Sequence, residues 1–287
     1  MVVSPPLAPA APMPLHTLIA GSGYPILCLH GHPGTGRSMS VFTQPLSQRF
    51  TTLAPDLRGY GRSRTQAPFT MEHHLIDLGS LLDQQSVSDC FILGWSLGGI
   101  LAIELALRYP ERVSGLILVA TSARPWGNHP PVTWQDNLFT GIAGGLNLLK
   151  PGWRWNIETF GKRSLFRYLI QQHTPTAYRY LAQEGTPAYL QTSRFANQAL
   201  RQSLRRRYNR LAELSQLRCP VLILAGEQDR HITAAASQEM VPLLGDCEMK
   251  TYPNTAHLFP WEIPTQVIQD LQNWLQRRSQ HHPSTAT

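Results

Sequence analysis

The chain has 287 residues, of which 42% are hydrophobic and 15% charged, and its formal net charge is +7. Such a length holds one or two domains, and this hydrophobic content is ample for a substantial core. No apolar run reaches the roughly 18 residues that a membrane-spanning helix needs. The first residues carry no basic side chain ahead of an apolar stretch, which argues against a secretion signal. We therefore expect a cytoplasmic protein, with its four cysteines as free thiols.

The two ends of the chain differ in composition from its middle. Residues 1–14 are rich in proline and alanine and predict a flexible arm, and residues 279–287 predict a flexible tail. Between them, strand and helix patterns alternate, which predicts an α/β fold with a mostly parallel sheet covered on both faces. We expect strands at 15–19, 25–29, 50–54, 90–95, 114–120, 220–225 and 247–252. We expect helices at 38–48, 71–85, 97–108, 234–244 and 264–277.

The helix predicted at 71–85 carries several ionisable residues. His73 and His74 are adjacent, so their side chains point in different directions and do not form a pair of metal ligands. We expect both histidines at the surface, and we expect Asp77 and Asp83 to be solvated.

A serine between glycines follows the predicted strand at 90–95. Ser96 has Gly94 two residues before it and Gly98 two residues after it, and a helical pattern begins at once. A serine in a sharp strand-to-helix turn needs such small neighbours, and the turn exposes its hydroxyl beside the backbone N–H groups of a helix N-terminus. An ordinary serine N-cap would not require both glycines. The pattern therefore predicts a nucleophile elbow.

Two further groups follow in the chain order that this chemistry requires, first an acid and then a histidine. Glu227 and Asp229 come directly after a predicted buried strand, at the sheet edge where α/β folds place functional groups. His257 lies in a loop that follows the next strand and returns to the same edge. We expect Ser96 as nucleophile, His257 as general base and then acid, and one of the two carboxylates as the group that orients the histidine.

The glycine-rich turn after the strand at 25–29 supplies a second kind of group. A turn at residues 30–36 can direct a backbone N–H toward the oxygen on which charge develops. The expected donors are the N–H groups of His32 and Leu97. No carboxylate or cysteine cluster accompanies His30 and His32, so we expect no metal and a structural role for the His30 side chain.

These motifs together resemble the ordered motif set of the α/β-hydrolase superfamily. The resemblance rests on residues 30–34, 56–63, 94–99, 226–229 and 256–257, and it extends from about residue 15 to residue 277. It is closest to small esterases, proline iminopeptidases, haloperoxidase-type perhydrolases and pimeloyl-acyl-carrier-protein methyl esterases. The family spacing implies Asp229 rather than Glu227 as the acid of the triad. It also implies a loop-shaping role for Asp56.

The alternation of strands and helices stops between residues 121 and 215. Prolines and glycines come first, and helical patterns follow at 157–172, 175–183, 186–192 and 196–212. An insertion at this place resembles the helical cap of the superfamily, which covers the nucleophile and shapes the pocket. The hydrolase core would then comprise residues 15–120 and 216–278. The candidate pocket residues are Trp95, Trp126, Trp134, Phe139 and Phe160.

The cap region carries most of the positive charge. Residues 121–215 contain thirteen basic and four acidic residues, a net charge of about +9. Most surface arginines are simply solvated, and no nucleic-acid recognition fold accompanies these, so we expect no nucleic-acid partner. An acidic carrier protein or an anionic substrate is the alternative partner for this surface. The arginines concerned are Arg201, Arg205, Arg206, Arg207 and Arg210.

The resulting hypothesis is a serine hydrolase that cleaves a carboxylic ester and needs no cofactor. Thioesters, amides, lactones, carrier-linked methyl esters and perhydrolysis use the same machinery and stay open as alternatives. Amide cleavage by an iminopeptidase is disfavoured because this cap has few acids to hold a substrate amine. A different alternative is a ligand receptor without catalysis on a hydrolase fold. Oligomeric state is not predicted by any pattern in the sequence.

Overall fold

Seven strands form the central sheet. The structure, a computed structural model, describes residues 11–128 and 131–279. The strands are β1 (Thr17–Ala20), β2 (Pro25–Leu29), β3 (Thr51–Pro55), β4 (Cys90–Trp95), β5 (Val113–Val119), β6 (Val221–Gly226) and β7 (Cys247–Tyr252). Their order across the sheet is β1-β3-β2-β4-β5-β6-β7, with β1 antiparallel to β3 and all other neighbours parallel. The predicted α/β class is confirmed, and every predicted strand lies within two residues of its observed bounds.

Helices cover both faces of the sheet and form the insertion between β5 and β6. They are α1 (Ser40–Leu46), α2 (Met71–Gln84), α3 (Leu97–Arg108), α4 (Trp134–Leu149), α5 (Arg154–Thr159), α6 (Pro175–Tyr180), α7 (Thr186–Leu190), α8 (Arg194–Arg205), α9 (Ala234–Gln238), α10 (Phe259–Glu262) and α11 (Pro264–Ser279). Helix α9 ends earlier than predicted because Pro242 clashes with a helical carbonyl four residues before it. In the described part of the chain, no helix is both long and apolar enough to cross a membrane.

The inner strands of the sheet, β2 to β6, are buried on both faces, whereas the edge strands β1 and β7 are partly exposed. Along β2, Leu27 and Leu29 pack on one face with α2 and α3, while Ile26 and Cys28 pack on the other with α1 and α11. This alternation follows from the two-residue period of a strand. Because β2, β4, β5 and β6 pair in parallel, their carboxyl ends meet at one edge of the sheet. The loops at this edge carry the candidate site.

The expectation that the ionisable residues of α2 are solvated is wrong for three of them. His74 is 1% exposed and packs against the rings of Tyr60 and Phe69, and His73 is also buried. Asp77 is buried as well and accepts two hydrogen bonds from Arg58, at 2.7 and 2.5 Å. No local pattern indicates this burial, because the groups that cover α2 come from loops distant in the chain.

The insertion forms a layer of short helices over the carboxyl edge of the sheet. Helix α4 was not predicted, because its glycines lower helix propensity. It forms from a reciprocal cap in which Thr133 Oγ1 accepts from Asp136 N and Asp136 Oδ2 accepts from Thr133 N. The helix predicted at 157–172 is absent. In its place α5 is followed by two short 3₁₀ turns, because the Ser164 hydroxyl bonds the Gly161 carbonyl instead of leaving it to a helix.

The insertion leaves and rejoins the core at one place. Arg210 N donates to Ala123 O at 2.9 Å, so the two ends of the inserted segment lie side by side. Ser193 N donates to Gly59 O at 2.9 Å, which fixes α8 to the core loop after β3. At the ends of the chain, residues 1–10 of the predicted arm and residues 280–287 of the predicted tail lie outside the described residues.

Candidate active site

Ser96 occupies a sharp turn between β4 and α3. Its backbone has φ 54° and ψ −113°, a conformation that few residues other than glycine adopt. Thr121 Oγ1 donates to Ser96 O at 2.8 Å, and Ser96 N donates to Val119 O at 2.8 Å. Glycine is required at Gly98, because a Cβ there would lie 2.1 Å from Leu29 O. The local sequence thus determines where the Ser96 hydroxyl projects.

His257 connects Ser96 with Asp229. Its Nε2 lies 3.1 Å from Ser96 Oγ, and its Nδ1 lies 2.7 Å from Asp229 Oδ2. A carboxylate only accepts hydrogen bonds, so Nδ1 carries the proton and Nε2 is free to accept the serine proton. All three side chains are buried. The arrangement can transfer a proton from the hydroxyl to the imidazole and back.

Asp229 is held in place by the backbone that follows it. Asp229 Oδ1 accepts from His231 N at 2.7 Å and from Ile232 N at 3.0 Å, which leaves Oδ2 for His257. Glu227, the competing carboxylate in the sequence, is exposed, and its backbone N–H bonds Tyr252 O. Of the two acids, Asp229 alone contacts the histidine.

Two backbone N–H groups complete the surroundings of Ser96. Within the described residues, neither His32 N nor Leu97 N has an acceptor. Leu97 is the first residue of α3, where helical N–H groups lack intrahelical partners. His32 follows Gly31, at which a Cβ would lie 3.1 Å from Ser96 Cβ. The loop after β2 therefore passes directly beside the serine.

The histidines of this loop are structural in their contacts. His30 Nδ1 donates to Gly31 O at 2.8 Å, and His30 Nε2 accepts from Leu57 N at 3.0 Å. Burial lowers the pKa of His30 and of His32 to about 4, so both rings are neutral near pH 7. Asp56 accepts from Gly36 N at 2.7 Å and shapes the same loop. Within the described ranges, no cluster of three or more His, Cys, Asp or Glu residues is arranged to hold a metal ion.

Glu262 and His231 are site residues that the sequence reasoning missed. Glu262 is 4% exposed and accepts from Ala256 N at 2.9 Å and from Gln171 N at 3.0 Å, so it ties the His257 loop to the cap. Burial raises its pKa. The His231 ring packs edge-on against His257 at 4.7 Å between centroids. The only sequence signal for Glu262 is its position five residues after His257. No sequence signal marks His231.

The triad opens into a cavity of about 650 Å³ between core and cap. Trp95 and Trp126 line it, as do Ser96 and His257. The other three candidate pocket residues lie outside its lining. Trp134 is 71% exposed, and Phe139 and Phe160 pack against each other inside the cap at 6.2 Å between ring centroids.

Most of the cavity wall is apolar, and α8 supplies part of it. Leu200 and Leu204 lie on the cavity side of this helix together with Asn197 and Arg201. Arg201 is the one arginine or lysine among the lining residues. Its guanidinium contributes to the low pKa of the neighbouring His32.

The sequence and the fold were compared with known proteins. The chain is 28% identical to the pimeloyl-[acyl-carrier protein] methyl ester esterase of Nitrosomonas europaea over 263 residues, which cover 88% of this chain and 96% of the relative. It is 25% identical to a putative 2-succinyl-6-hydroxy-2,4-cyclohexadiene-1-carboxylate synthase of Bacillus subtilis over 250 residues, or 83% of this chain and 85% of the relative.

A solved structure with the same architecture is the malate-bound thermophilic esterase from Thermogutta terrifontis. It superposes with a TM-score of 0.69 and 25% identity, over 92% of this chain and 93% of that one. Residues 26–270 match the family model of alpha/beta hydrolases. That match spans most of the chain and includes Ser96, Asp229 and His257, so the chain belongs to the α/β-hydrolase family.

Proposed function

We propose that this ester hydrolase of the α/β-hydrolase family cleaves carboxylic esters through an acyl-enzyme intermediate on Ser96. The observation that carries the proposal is the unbroken chain of hydrogen bonds from Asp229 through His257 to Ser96, at the wall of the 650 Å³ cavity. A buried carboxylate, imidazole and hydroxyl in this order form the arrangement that activates a serine.

The first half of the reaction forms the acyl-enzyme. Ser96 Oγ attacks the ester carbonyl carbon, and its proton passes to His257 Nε2. The negative oxygen of the tetrahedral intermediate accepts hydrogen bonds from the N–H groups of His32 and Leu97. The bond to the leaving alcohol then breaks, and His257 delivers its proton to the alcohol oxygen. Asp229 keeps the imidazole oriented and stabilises its positive charge.

The second half releases the acid. A water molecule gives a proton to His257 and attacks the acyl carbon of the ester on Ser96. When the intermediate collapses, the carboxylic acid leaves and the serine recovers its proton. The apolar wall favours esters with apolar groups over highly charged substrates. Thioesters and lactones follow the same steps with a different leaving group.

The proposal is tested with the Ser96→Ala variant. Because the chemistry passes through Ser96 Oγ, the variant should lose hydrolysis of a nitrophenyl acetate by at least about 10⁴-fold and lose all labelling by a fluorophosphonate. The circular dichroism spectrum and the unfolding midpoint serve as controls for folding. Labelling at the wild-type rate in the variant would refute the assignment of the nucleophile. A wild-type protein that binds esters without turning them over would favour the ligand receptor.

A second candidate is an ester carried on an acidic acyl carrier protein, and one surface favours it. The exposed side chains of Arg205, Arg206 and Arg207 form no ion pair with any residue that the structure describes. Arg205 is the last residue of α8 and the other two follow it, so all three come after Arg201, which lines the cavity. Arg210 does not belong to this free surface, because it binds Glu104 at 2.7 Å. The Nitrosomonas europaea relative is named for a carrier-linked methyl ester.

A further inference from the structure

A second cavity lies in the cap, away from the triad, and it opens to solvent along the exposed side chains of Leu148, Tyr189 and Leu190. It measures about 400 Å³, which is within the range of about 300–1,000 Å³ for small-molecule sites. Helix α4 forms one wall through Gly141, Gly144 and Gly145, and α5 and α7 contribute Ile157 and Leu190. Neither Ser96 nor His257 reaches this space, so the proposed chemistry alone gives it no role.

The two cavities share a wall. Leu165, Phe166 and Leu181 line both of them, so these side chains form the partition between the cavity at the triad and the cavity beside α4. None of the three lies in regular α-helix. Phe166 is on the short 3₁₀ turn Leu165–Tyr168, and Leu181 begins the π-helical turn Leu181–Gly185. Such irregular turns occur often at functional sites.

Most of the polar side chains around the second cavity donate hydrogen bonds to backbone carbonyl groups. Thr140 Oγ1 donates to Asp136 O, and Asn147 Nδ2 donates to Ala182 O. Asn156 Nδ2 donates to Ala143 O, while its buried Oδ1 is an acceptor with no partner in the described chain. What remains at the wall is mainly aliphatic and aromatic surface, which binds apolar groups.

We propose that the second cavity holds the distal part of the substrate's acyl chain. The ester carbonyl lies at Ser96, and the chain passes between Phe166 and Leu181 into the space beside α4. This inference rests on the proposed esterase function and adds a substrate class to it, namely esters of medium-length and long fatty acids. Even an apolar cavity of about 150 Å³ takes up a group the size of benzene, so the space beside α4 is ample for several methylenes.

The glycines of α4 make the proposal testable without crowding the fold. A Cβ added at Gly141, Gly144 or Gly145 meets no atom within 4 Å. Gly144→Leu therefore adds an aliphatic side chain at the cavity wall, and its Cβ meets no neighbouring atom. Gly245 has equally open surroundings in the loop before β7, outside the lining of both cavities, so Gly245→Leu is a matched control.

The experiment measures kcat/KM for nitrophenyl acetate, butyrate, octanoate and decanoate. In the wild-type protein the ratio of decanoate to acetate should be well above one, because each buried methylene favours the longer chain. Gly144→Leu should lower that ratio by at least about tenfold, and Gly245→Leu should leave it as in the wild type. A phosphonate with a decyl chain, attached to Ser96 and seen in a crystal structure, would show its tail beside α4.

Three results would overturn the inference while leaving the esterase intact. One is an equal ratio in the wild type and in Gly144→Leu. Another is a higher kcat/KM for decyl acetate than for the decanoate ester. The long chain would then bind on the alcohol side of the ester and not on the acyl side. The third is a Phe166→Ala variant with no change in its profile among octanoate, decanoate and longer chains. If no ester is hydrolysed and Ser96 is not labelled, the proposed function itself fails.

Discussion

The backbone at Ser96 carries strain that serves its side chain. A non-glycine residue at φ 54° and ψ −113° costs on the order of 1–3 kcal/mol, which the surrounding structure must offset. This cost is offset by the hydrogen bonds of the Ser96 backbone with Val119 and Thr121 and by the close packing that Gly98 permits. Strained residues of this kind cluster at active sites, where the surrounding structure holds them in place.

The two carboxylates after β6 give a paired prediction at this scale. Asp229→Asn should lower kcat by about 10⁴-fold, since an amide can donate to Nδ1 and so favours the wrong tautomer of His257. Glu227→Gln should stay within about twofold of the wild type, because its exposed side chain does not contact the histidine. Steady-state kinetics on one nitrophenyl ester measures both. The opposite order of effects would assign the acid to Glu227.

Site residues divide into those that a sequence can nominate and those that it cannot. Ser96 sits in a short motif in which local backbone geometry determines the residue type, so the pattern alone named it. Asp229 was one of two candidate acids, and the family resemblance decided between it and Glu227. His257 followed from its order along the chain. Glu262 could not be found in this way, because its role depends on hydrogen bonds from Gln171 N and Ala256 N. Only the folded chain brings these groups together. Three of the five predicted pocket aromatics, Trp134, Phe139 and Phe160, were wrong for the same reason, since the paths of the cap helices decide which rings face the cavity.

At the scale of elements, α2 shows how a helix buries groups that a sequence reader places in water. Its face toward the loop after β3 carries His74, whose Nδ1 finds no hydrogen-bond partner within the described residues. Burial lowers the pKa of His74 to about 3, compared with an ordinary value of 6.5. The ring is therefore neutral in the folded protein well into the acid range.

This burial makes stability depend on pH with a definite sign. Below pH 6.5 the unfolded chain binds a proton at His74 that the folded protein excludes until about pH 3, so the free energy of unfolding falls as the solution is acidified through that window. Each such histidine contributes a slope of about 1.4 kcal/mol per pH unit. His74→Leu should reduce the slope by up to that amount between pH 6 and about pH 4. Urea unfolding at several pH values measures it, and parallel curves for the two proteins would contradict the prediction.

Helices of the cap were harder to predict than those of the core. In the core, strands and helices alternate and their apolar periods are regular, so most bounds could be predicted to within a few residues, the end of α9 excepted. The cap is made of turns and helices of five to sixteen residues, where a capping pair or a hydroxyl decides the outcome. Helix α4 depends on Thr133 and Asp136, whereas the propensity of its own residues argues against it.

For the molecule as a whole, charge is separated between cap and core. The inserted segment holds an excess of basic residues, and part of this excess is neutralised where Arg210 meets Glu104 and Arg124 meets Glu239. The end of α8 keeps its positive charge. The electric field of this positively charged surface affects the rate and strength of association with acidic partners more than it affects folding.

That separation predicts a salt-dependent effect on a carrier-bound substrate. Changing Arg205 and Arg206 to glutamate should raise KM for an ester on an acyl carrier protein by about tenfold at low salt, and the increase should shrink as salt is added. The exposed Arg49 and Arg64 of the core, changed in the same way, provide a control with the same change in net charge. Equal KM values in the two variants would leave the carrier protein without support at this surface.

The hydrogen bond from Arg210 N to Ala123 O joins the two ends of the inserted segment, and this joint has a consequence for how such an enzyme evolves. Because a single backbone hydrogen bond brings both ends of the inserted segment together, the sheet needs no new path to accept a different insert of another length. Recombination at this joint would carry the cap walls of the cavity as one exchangeable segment, while Ser96, Asp229 and His257 stayed with the host sheet. The insert would then need its remaining backbone contacts with the core, among them those from Ser193 N to Gly59 O and from Leu258 N to Leu169 O.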